Sequence, residues 1–465
     1  MTDSQEKTEY DVIVIGAGPA GEVSAGRLAD GGLEVALVEK HLVAGECSYY
    51  ACMPSKALLR PGELLKEGRR VPGVREAVTG DLDVASALAR RDEVIHDLDD
   101  SAQLPWLESR GIALIRGEGA LAGEKTVKAG DSTLTARKAV VVATGTGAAI
   151  PPIDGIDQVD IWNNRDATTA KEAPASMIVL GGGPVGCELA QAWASFGVEV
   201  TLVEPEPRLL AREESFAGEQ VAASLQNEYG VTVIFGAIAD HVSQDGETIT
   251  VDLNDGQSLK AEKLLMATGR KPMTAGLGLE SVGIDPKGYL ETEENLTVKG
   301  FDWLYAVGDI NGRILLTHMG KYQAWIASEC ILGRPVAEIA EPYGAPRVTF
   351  TDPQVAAVGL TESDARKRGM DIEVIEVSTD STAGASFYGK GVDGTCRLII
   401  DKSDETILGA TFTGFETAEI IHGATIAMVG EVPMPRLRHA VPSFPTRSEI
   451  WLRLSEKYES RGQED

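Results

Sequence analysis

The chain carries one glycine-rich pattern twice, and this duplication restricts what it can fold into. The segments Gly16-Ala17-Gly18-Pro19-Ala20-Gly21 and Gly181-Gly182-Gly183-Pro184-Val185-Gly186 each follow an apolar run, at 10–15 and 176–180. In both copies a second apolar run ends in an acid, 23 residues after the first glycine. A strand, glycine turn and helix of this kind bind a dinucleotide pyrophosphate, and the acid accepts hydrogen bonds from ribose hydroxyls. The candidate residues are Gly16, Gly18, Gly21 and Glu39 in the first copy and Gly181, Gly183, Gly186 and Glu204 in the second.

A second repeated segment supports the duplication. Apolar runs at 140–142 and 264–266 both end in Ala-Thr-Gly. Prolines follow each copy, at 151–152 and at 272, and are expected to mark domain crossings. Residues 304–309 are expected to form a further strand that ends at an acid, Asp309.

The sequence therefore predicts an α/β fold with two Rossmann-like dinucleotide-binding domains and a C-terminal α+β domain. The expected domains are 1–150, 151–272, a segment at 273–343 that completes the first domain, and 344–465. In the last domain, runs at 347–350, 396–400 and 407–412 are typical of antiparallel strands, and 418–428 has helical periodicity. A chain of 465 residues fits several domains better than a single core.

Two cysteines, Cys47 and Cys52, lie just beyond the first glycine pattern. In an ideal helix residues five apart are roughly 8–9 Å apart at Cα, whereas a disulfide needs less than about 7 Å. The pair can close only where the helix start is unwound, and Pro54 could keep that turn irregular. Lys56 and a helix N-terminus would lower a thiol pKa. A dithiol beside a nucleotide site indicates flavin-driven disulfide chemistry; a structural disulfide or two buried thiols are the alternatives, and a zinc site lacks further ligands.

Composition excludes several classes of function. The net charge is −28 and no basic stripe is present, which argues against nucleic-acid binding. No stretch of 18 apolar residues occurs, and residues 1–7 do not resemble a signal peptide, so neither a membrane span nor secretion is expected. Five cysteines in so long a chain point to a reducing cytoplasm. The acidic excess indicates solubility or a salty cytoplasm.

Two dinucleotide sites in one chain suggest a flavin carrier beside a nicotinamide donor. A carboxylate at Glu204 would repel the 2′-phosphate of NADP and so favours NAD. Arg208 lies four residues further on and could still reach a phosphate, which leaves NADP possible.

These motifs together resemble the flavoprotein disulfide reductase family, which includes lipoamide dehydrogenase, glutathione reductase and mercuric reductase. The similarity covers nearly the whole chain, and the run Pro54-Ser55-Lys56-Ala57-Leu58-Leu59 is most similar to the lipoamide dehydrogenase branch. The supporting segments are the two glycine patterns, the block from Cys47 to Lys56, Ala267–Pro272, Ala306–Asp309 and Phe350–Leu360.

The resemblance implies roles for individual residues. The first glycine pattern would bind FAD, with Thr144, Gly145, Gly308 and Asp309 completing that site. The second would bind the nicotinamide nucleotide, with Gly269 beside it. Cys52 would be the thiol that faces the flavin, and Cys47 would exchange with the substrate. Lys56 would lie by the flavin and pair with Glu188 near the nicotinamide. Region 344–465 would form a homodimer.

One departure from the family bears on mechanism. The family ends in His-Pro-Thr-x-x-Glu, with the histidine acting as acid–base across the dimer, whereas here Pro445, Thr446 and Glu449 match and Phe444 takes the histidine's place. Phenylalanine cannot carry a proton, so protonation of a released thiolate would lose a contribution of typically 10²–10⁴-fold. His439 could substitute only if the segment contains an insertion; otherwise it is structural.

The expected activity is NAD(P)H-dependent reduction of a small disulfide, or the reverse oxidation of a dithiol. The alternative is a quinone or diaphorase-type flavin reductase, which Phe444 favours. Tyr49 and Tyr50 could stack on a flat acceptor, or could pack against the first domain. A mercuric reductase is disfavoured because 459–465 lack that branch's cysteine pair, and a redox-sensing protein without turnover is the non-enzymatic alternative.

Overall fold

The computed structural model describes residues 7–391 and 394–461. The first six residues of the N-terminus and the last four of the chain lie outside the described residues, so the expectations placed on those ends are not addressed. The described chain divides into two compact units, which we call unit 1 (7–54, 92–149 and 270–338) and unit 2 (55–91, 150–269 and 339–461). The domain boundaries drawn from the sequence stay predictions. Within the described residues, no helix combines the length and apolarity needed to cross a membrane.

Unit 1 is built on a parallel sheet extended by an antiparallel ribbon. Strand Glu9–Ile15 lies between Val35–Glu39 and Ser132–Val142, and all three run parallel. Their runs of β-branched and aliphatic residues are buried on both faces, as expected for a central parallel sheet. The remaining strands are Ala113–Arg116 and Leu304–Ala306, both parallel, and Gly119–Leu121 and Thr126–Ala129, both antiparallel; a separate pair is formed by Thr146–Ala148 and Arg270–Pro272.

Helices cover this sheet and place the first glycine pattern at its carboxyl edge. Helix Pro19–Asp30 packs against Thr317–Ile331, and both contribute to the core below the sheet. The strand expected at 304–309 ends early at Ala306, because Gly308 has φ +75° and starts a short 3₁₀ turn, Gly308–Asn311. The other helices of unit 1 are Gly45–Tyr49 and Leu104–Ser109, while Cys52–Arg70 and Val84–Val94 continue from one unit into the other.

Unit 2 repeats the plan of the parallel sheet. Strand Ser176–Leu180 lies between Glu199–Glu204 and Lys263–Met266. Outer strands Thr232–Phe235 and Ile161–Trp162 complete five parallel strands, and an antiparallel sheet is formed by Ala239–Asp245, Thr248–Leu253 and Ser258–Ala261. The helices of this part are Asn164–Thr169, Pro184–Ser195 and Ser215–Asn227.

The rest of unit 2 is the α+β region expected near the C-terminus. Its antiparallel sheet has the strand order Arg347–Thr349, Gln354–Gly359, Ile407–Gly414, Thr395–Asp401 and Ile372–Ser378. The helix expected at 418–428 is present as two helices, interrupted at Ile421. The helices are Glu362–Lys367, Thr417–Ile420, His422–Val429, Met434–Leu437 and Ile450–Ser460. The mixed α/β class expected from the sequence is confirmed.

Candidate functional site

The first glycine loop is shaped by contacts with its own backbone. Gly16 has φ +98°, and a Cβ there would lie 2.6 Å from the carbonyl oxygen of Ala143. A Cβ at Gly21 would lie 1.8 Å from the oxygen of Gly16, so helix and turn are in contact. Gly18 caps helix Pro19–Asp30 and faces open space. The first turn of the helix can therefore present its N–H groups to a pyrophosphate, as FAD requires.

Glu39 lies at the end of its strand, directly beneath this loop. Its Oε2 accepts a hydrogen bond of 2.7 Å from the N–H of Ala17, and Oε1 accepts one of 2.6 Å from His41. Both bonds hold the carboxylate at the loop, where a ribose hydroxyl could be a further donor.

The second loop repeats this geometry. Gly181 has φ +109°, a Cβ at Gly186 would lie 1.9 Å from the Gly181 oxygen, and Gly183 faces open space. Glu204 accepts hydrogen bonds from the N–H groups of Gly182 and of Glu206, the latter at 2.9 Å. The observed loop fits a nicotinamide dinucleotide for the same reasons that the first loop fits FAD.

The Ala-Thr-Gly segments turn the chain at the ends of two strands. Gly145 has φ +69° and its carbonyl accepts a hydrogen bond of 3.0 Å from the N–H of Met273. The hydroxyl of Thr144 donates to the Met273 carbonyl at 3.2 Å. Gly269 has φ +138°, and the oxygen of Ala267 lies beside Gly181. Thr144 and Gly145 thus lie in unit 1 with the first loop, and Gly269 in unit 2 with the second.

Asp309 lies in the turn after the strand Leu304–Ala306. Its Oδ2 accepts a hydrogen bond of 2.7 Å from the hydroxyl of Thr146. Burial raises the pKa of Asp309, whereas the bond from Thr146 and the charge of Arg270 lower it. The N–H of Gly308 donates to Gln323 at 2.9 Å, which fixes the turn. Asp309 is therefore held on unit 1, where the sequence predicts FAD.

Cys47 and Cys52 lie on two different helices. Cys47 is in Gly45–Tyr49 and Cys52 begins Cys52–Arg70, so the helix is interrupted between them, as closure of a disulfide requires. The break precedes Pro54. Thr317, the first residue of its helix, has its Oγ1 3.6 Å from the Cys52 sulfur.

Neighbouring groups shift the pKa of the Cys47 thiol. The hydrogen bond with Cys52 raises its pKa most, and burial raises it further. A hydrogen bond with Thr317 and the charge of Lys321 act in the opposite direction. Sequence reasoning missed both residues, because they lie some 270 positions away and belong to no motif.

Sequence reasoning also missed Gly45, although a glycine two residues before Cys47 could have indicated a close backbone contact. Gly45 has φ +61°, and a Cβ there would lie 2.7 Å from the Cα of Gly18. The cysteine helix thus starts in direct contact with the first phosphate loop. Tyr49 is buried beside Ala44 and Ile95, which supports packing rather than substrate contact for this residue.

Lys56 and Glu188 form an ion pair with 2.7 Å between Nζ and Oε2. Glu188 is buried, and its second oxygen accepts a hydrogen bond of 2.9 Å from the N–H of Phe350. The Lys56 ammonium lies 4.7 Å from the centre of the Phe350 ring. Phe350 therefore contacts both members of the pair, and the Lys56 ammonium compensates the negative charge of the buried Glu188 carboxylate.

Glu449, a catalytic candidate by the family resemblance, is held by hydrogen bonds from backbone N–H groups. It is 3% exposed, and its Oε2 accepts hydrogen bonds from the N–H groups of Thr446, at 3.1 Å, and Gly384, at 3.2 Å. Together with the Thr446 side chain this forms a capping box. Phe444 is 78% exposed.

Comparison with known proteins agrees with this geometry. Residues 10–324 match the family described as pyridine nucleotide-disulphide oxidoreductase, and 345–454 match its dimerisation domain. The chain is 33% identical to a dihydrolipoyl dehydrogenase from Chlorobaculum tepidum, covering 95% of each protein. It is 30% identical to a mercuric reductase from Staphylococcus aureus, covering 96% of this chain and 82% of that protein.

Solved structures show the same fold. The HOCl-induced flavoprotein disulfide reductase RclA from Escherichia coli, as a Cu(II) complex, aligns with a TM-score of 0.86 at 26% identity over 97% of this chain and 99% of RclA. LpdA from Mycobacterium tuberculosis aligns with a TM-score of 0.85 at 25% identity, covering 97% and 100%. Two dinucleotide folds, a dithiol and a dimerisation domain thus occur together, and the chain belongs to the pyridine nucleotide-disulphide oxidoreductases, flavoprotein enzymes that depend on FAD and NAD(P).

Proposed function

We propose that the chain is an NAD(P)H-dependent reductase of small disulfides, similar to dihydrolipoyl dehydrogenase, and that it also runs in reverse with dithiols. The observation that carries this proposal is the Cys47–Cys52 pair, placed on two helices at the first phosphate loop and contacted by Thr317. The chemistry that FAD supplies when bound is the transfer of two electrons from the reduced nicotinamide to the cysteine disulfide.

The cysteines then carry out two exchange steps. The thiolate of Cys47 attacks one sulfur of the substrate disulfide, so that a mixed disulfide forms and one substrate thiolate leaves. Cys52 attacks the sulfur of Cys47, which closes the Cys47–Cys52 disulfide and releases the second substrate thiolate. Each thiolate takes one proton. Because Phe444 cannot supply it, we assign the protons to water at the site.

The charged residues have supporting roles in this proposal. Lys56 would lie by the flavin and compensate negative charge there, and Glu188 would hold Lys56 and face the nicotinamide. Glu39 and Asp309 would bind the ribose and ribityl hydroxyls of FAD, and Glu204 those of NAD, which we favour over NADP. We also propose a homodimer formed through 345–454 and a cytoplasmic location.

Replacement of each cysteine tests the proposal. We expect Cys52→Ser and Cys47→Ser to lower NADH-dependent reduction of lipoamide at least 10³-fold while FAD remains bound. Cys330→Ser removes a thiol from the same unit and should retain activity within about twofold. Undiminished lipoamide reduction in Cys52→Ser would refute the proposal.

A second candidate is reduction of a quinone or dye, and Phe444 is the observation that favours it. Such an acceptor needs no acid at the position of the family histidine. An acceptor panel separates the two candidates: lipoamide, glutathione disulfide and a benzoquinone. Hg(II) is added because one relative is named a mercuric reductase, and Cu(II) because RclA was solved as a Cu(II) complex. Fast quinone reduction that survives loss of both cysteines, with slow reduction of every disulfide, would favour the second candidate.

A further inference from the structure

Unit 2 contains a cavity of about 670 Å³ that none of the assigned residues lines. It lies between the C-terminal half of Cys52–Arg70, the ends of Pro184–Ser195 and Ser215–Asn227, and the turns at 352–353 and 414–415. The second phosphate loop and the Lys56–Glu188 pair are not part of its wall. The cavity is therefore separate from the nucleotide site of the same unit.

The residues that line this cavity carry a net positive charge, whereas the chain as a whole is negatively charged. Four cations line the cavity and two carboxylates accompany them, whereas the whole chain has a net charge of −28. The cations are Lys66, Arg69, Arg70 and Lys390, and the carboxylates are Glu228 and Asp352. Such a local excess of positive charge attracts anions, because the low-dielectric wall focuses its field.

The carboxylates do not neutralise the cations. Asp352 is shared: its Oδ2 lies 2.9 Å from the Lys66 ammonium and 3.9 Å from Nη1 of Arg70. Glu228 lies further from Lys66, at 3.7 Å. Arg69 pairs with an Asp81 side chain that is almost fully exposed, and such pairs contribute little.

Buried donors at the cavity also lack acceptors. Arg70 is only 13% exposed, and neither its Nε nor its Nη2 has a hydrogen-bond partner among the described residues. The same holds for the hydroxyl of Tyr229, whose pKa is raised by burial, so that it remains a donor. The Arg70 guanidinium lies 4.1 Å from the centre of the Phe415 ring, which orients it. Unsatisfied donors of this kind are costly, and an oxyanion could satisfy them after small side-chain rotations.

We propose that this cavity binds a small organic molecule carrying a dianionic oxyanion group, such as a phosphate monoester. The oxyanion would lie among Lys66, Arg70 and Lys390, and the organic part would contact the apolar wall. That wall comprises Leu65, Leu82, Ala194, Ala223 and Pro353.

Inorganic phosphate is the probe, titrated calorimetrically at pH 8 and constant ionic strength. The protein is the FAD-loaded enzyme saturated with NAD⁺, so that both phosphate loops are filled. We expect saturable binding that Lys390→Gln and Lys66→Gln each weaken about tenfold, because each removes one positive charge from the cavity. Lys299→Gln removes an exposed charge from unit 1 and should bind like the wild type. Lys390 is exposed, so its replacement should not affect folding.

Two results would overturn the proposal. One is the absence of saturable phosphate binding; the other is equal binding by Lys390→Gln and the Lys299→Gln control. Acetate, a monoanion, should bind at least tenfold more weakly than phosphate if the group is dianionic. Crystals soaked in selenate give an independent measurement: an anomalous selenium peak beside Arg70 is expected, and peaks only elsewhere would contradict the assignment.

Discussion

The two phosphate loops share a backbone framework but differ in the segment that comes after the acid. In both loops, the carbonyl oxygen of the residue after the first glycine accepts a hydrogen bond from an N–H that comes later in the chain. Ala44 donates to Ala17 at 2.8 Å, and Leu210 donates to Gly182 at 2.9 Å. Ala44 and Leu210 both have positive φ, +80° and +50°. The similarity therefore extends beyond the glycines to the turn that returns the chain to the loop.

At that turn the copies diverge. After Ala44 the chain enters the helix Gly45–Tyr49 that carries Cys47, whereas after Leu210 it continues to Ser215–Asn227, which contains no cysteine. The two loops share one backbone geometry, and a helix that carries a cysteine follows only the first of them. Residues 45–52, and not the repeated nucleotide fold, therefore distinguish unit 1 from unit 2.

The largest expected effect comes from the last glycine of each loop. A Cβ at Gly21 or Gly186 would lie less than 2 Å from a backbone oxygen, so Gly21→Ala and Gly186→Ala must displace the helix. We expect Gly21→Ala to abolish FAD retention. Gly186→Ala should keep FAD but raise the KM for NADH at least 100-fold. Flavin absorbance and steady-state kinetics measure the two effects.

Gly80→Ala is the matched control for both variants. A Cβ at Gly80 has no atom within 4 Å, so cofactor content and kinetics should be unchanged. Loss of FAD from Gly186→Ala as well would show that the two loops are not independent.

A smaller effect is expected from the acids. Glu204→Gln removes the charge that repels a 2′-phosphate while keeping a hydrogen-bond acceptor, and should shift the kcat/KM ratio toward NADPH about tenfold. Glu39→Gln, the matched change in the first loop, should weaken FAD binding without altering the choice of nicotinamide nucleotide. Kinetics with NADH and NADPH, and FAD release on dilution, distinguish the two; an unchanged ratio in Glu204→Gln would contradict the role given to Glu204.

Replacement of Thr317 tests the contribution of the cysteines, which only the first loop has beside it. The hydrogen bond of Thr317 lowers the pKa of Cys47, so Thr317→Ala should raise that pKa further and shift the pH–rate profile of lipoamide reduction to higher pH. Activity at pH 7 should fall about three- to tenfold, and Thr317→Ser should restore it. A Thr317→Ala profile that coincides with the wild type would exclude this contribution.

The last effect concerns stability and not activity, and it arises at the residue after the last glycine, Glu22 in one loop and Cys187 in the other. Burial raises the pKa of Glu22 to about 7. Between pH 4.5 and 7 the folded state then binds more protons than the unfolded state, so the free energy of unfolding falls as pH rises through this window, by up to about 3 kcal/mol. Glu22→Gln should remove that dependence, measured by thermal unfolding; Cys187→Ser should not. If the free energy of unfolding depends on pH in the same way in the wild type and in Glu22→Gln, the contribution assigned to Glu22 is refuted.

Local patterns predicted much of the molecule. Both loops and their acids are consecutive in sequence, so their geometry follows from spacing and glycine stereochemistry. The capping box at Thr446 and Glu449 could also have been found, since Thr-x-x-Glu is its signature. The positions of Thr317 and of the Arg70 N–H donors could not be predicted from sequence, because only tertiary packing brings these groups to their neighbours.

The contact of Gly21 with Gly16 and the bonds of Glu39 to Ala17 and His41 are all made within the chain. Little conformational entropy is therefore left for the cofactor to remove when it binds at this loop. Flavin uptake by the apoprotein should accordingly behave as a simple bimolecular association, with a rate proportional to FAD concentration and no preceding folding phase.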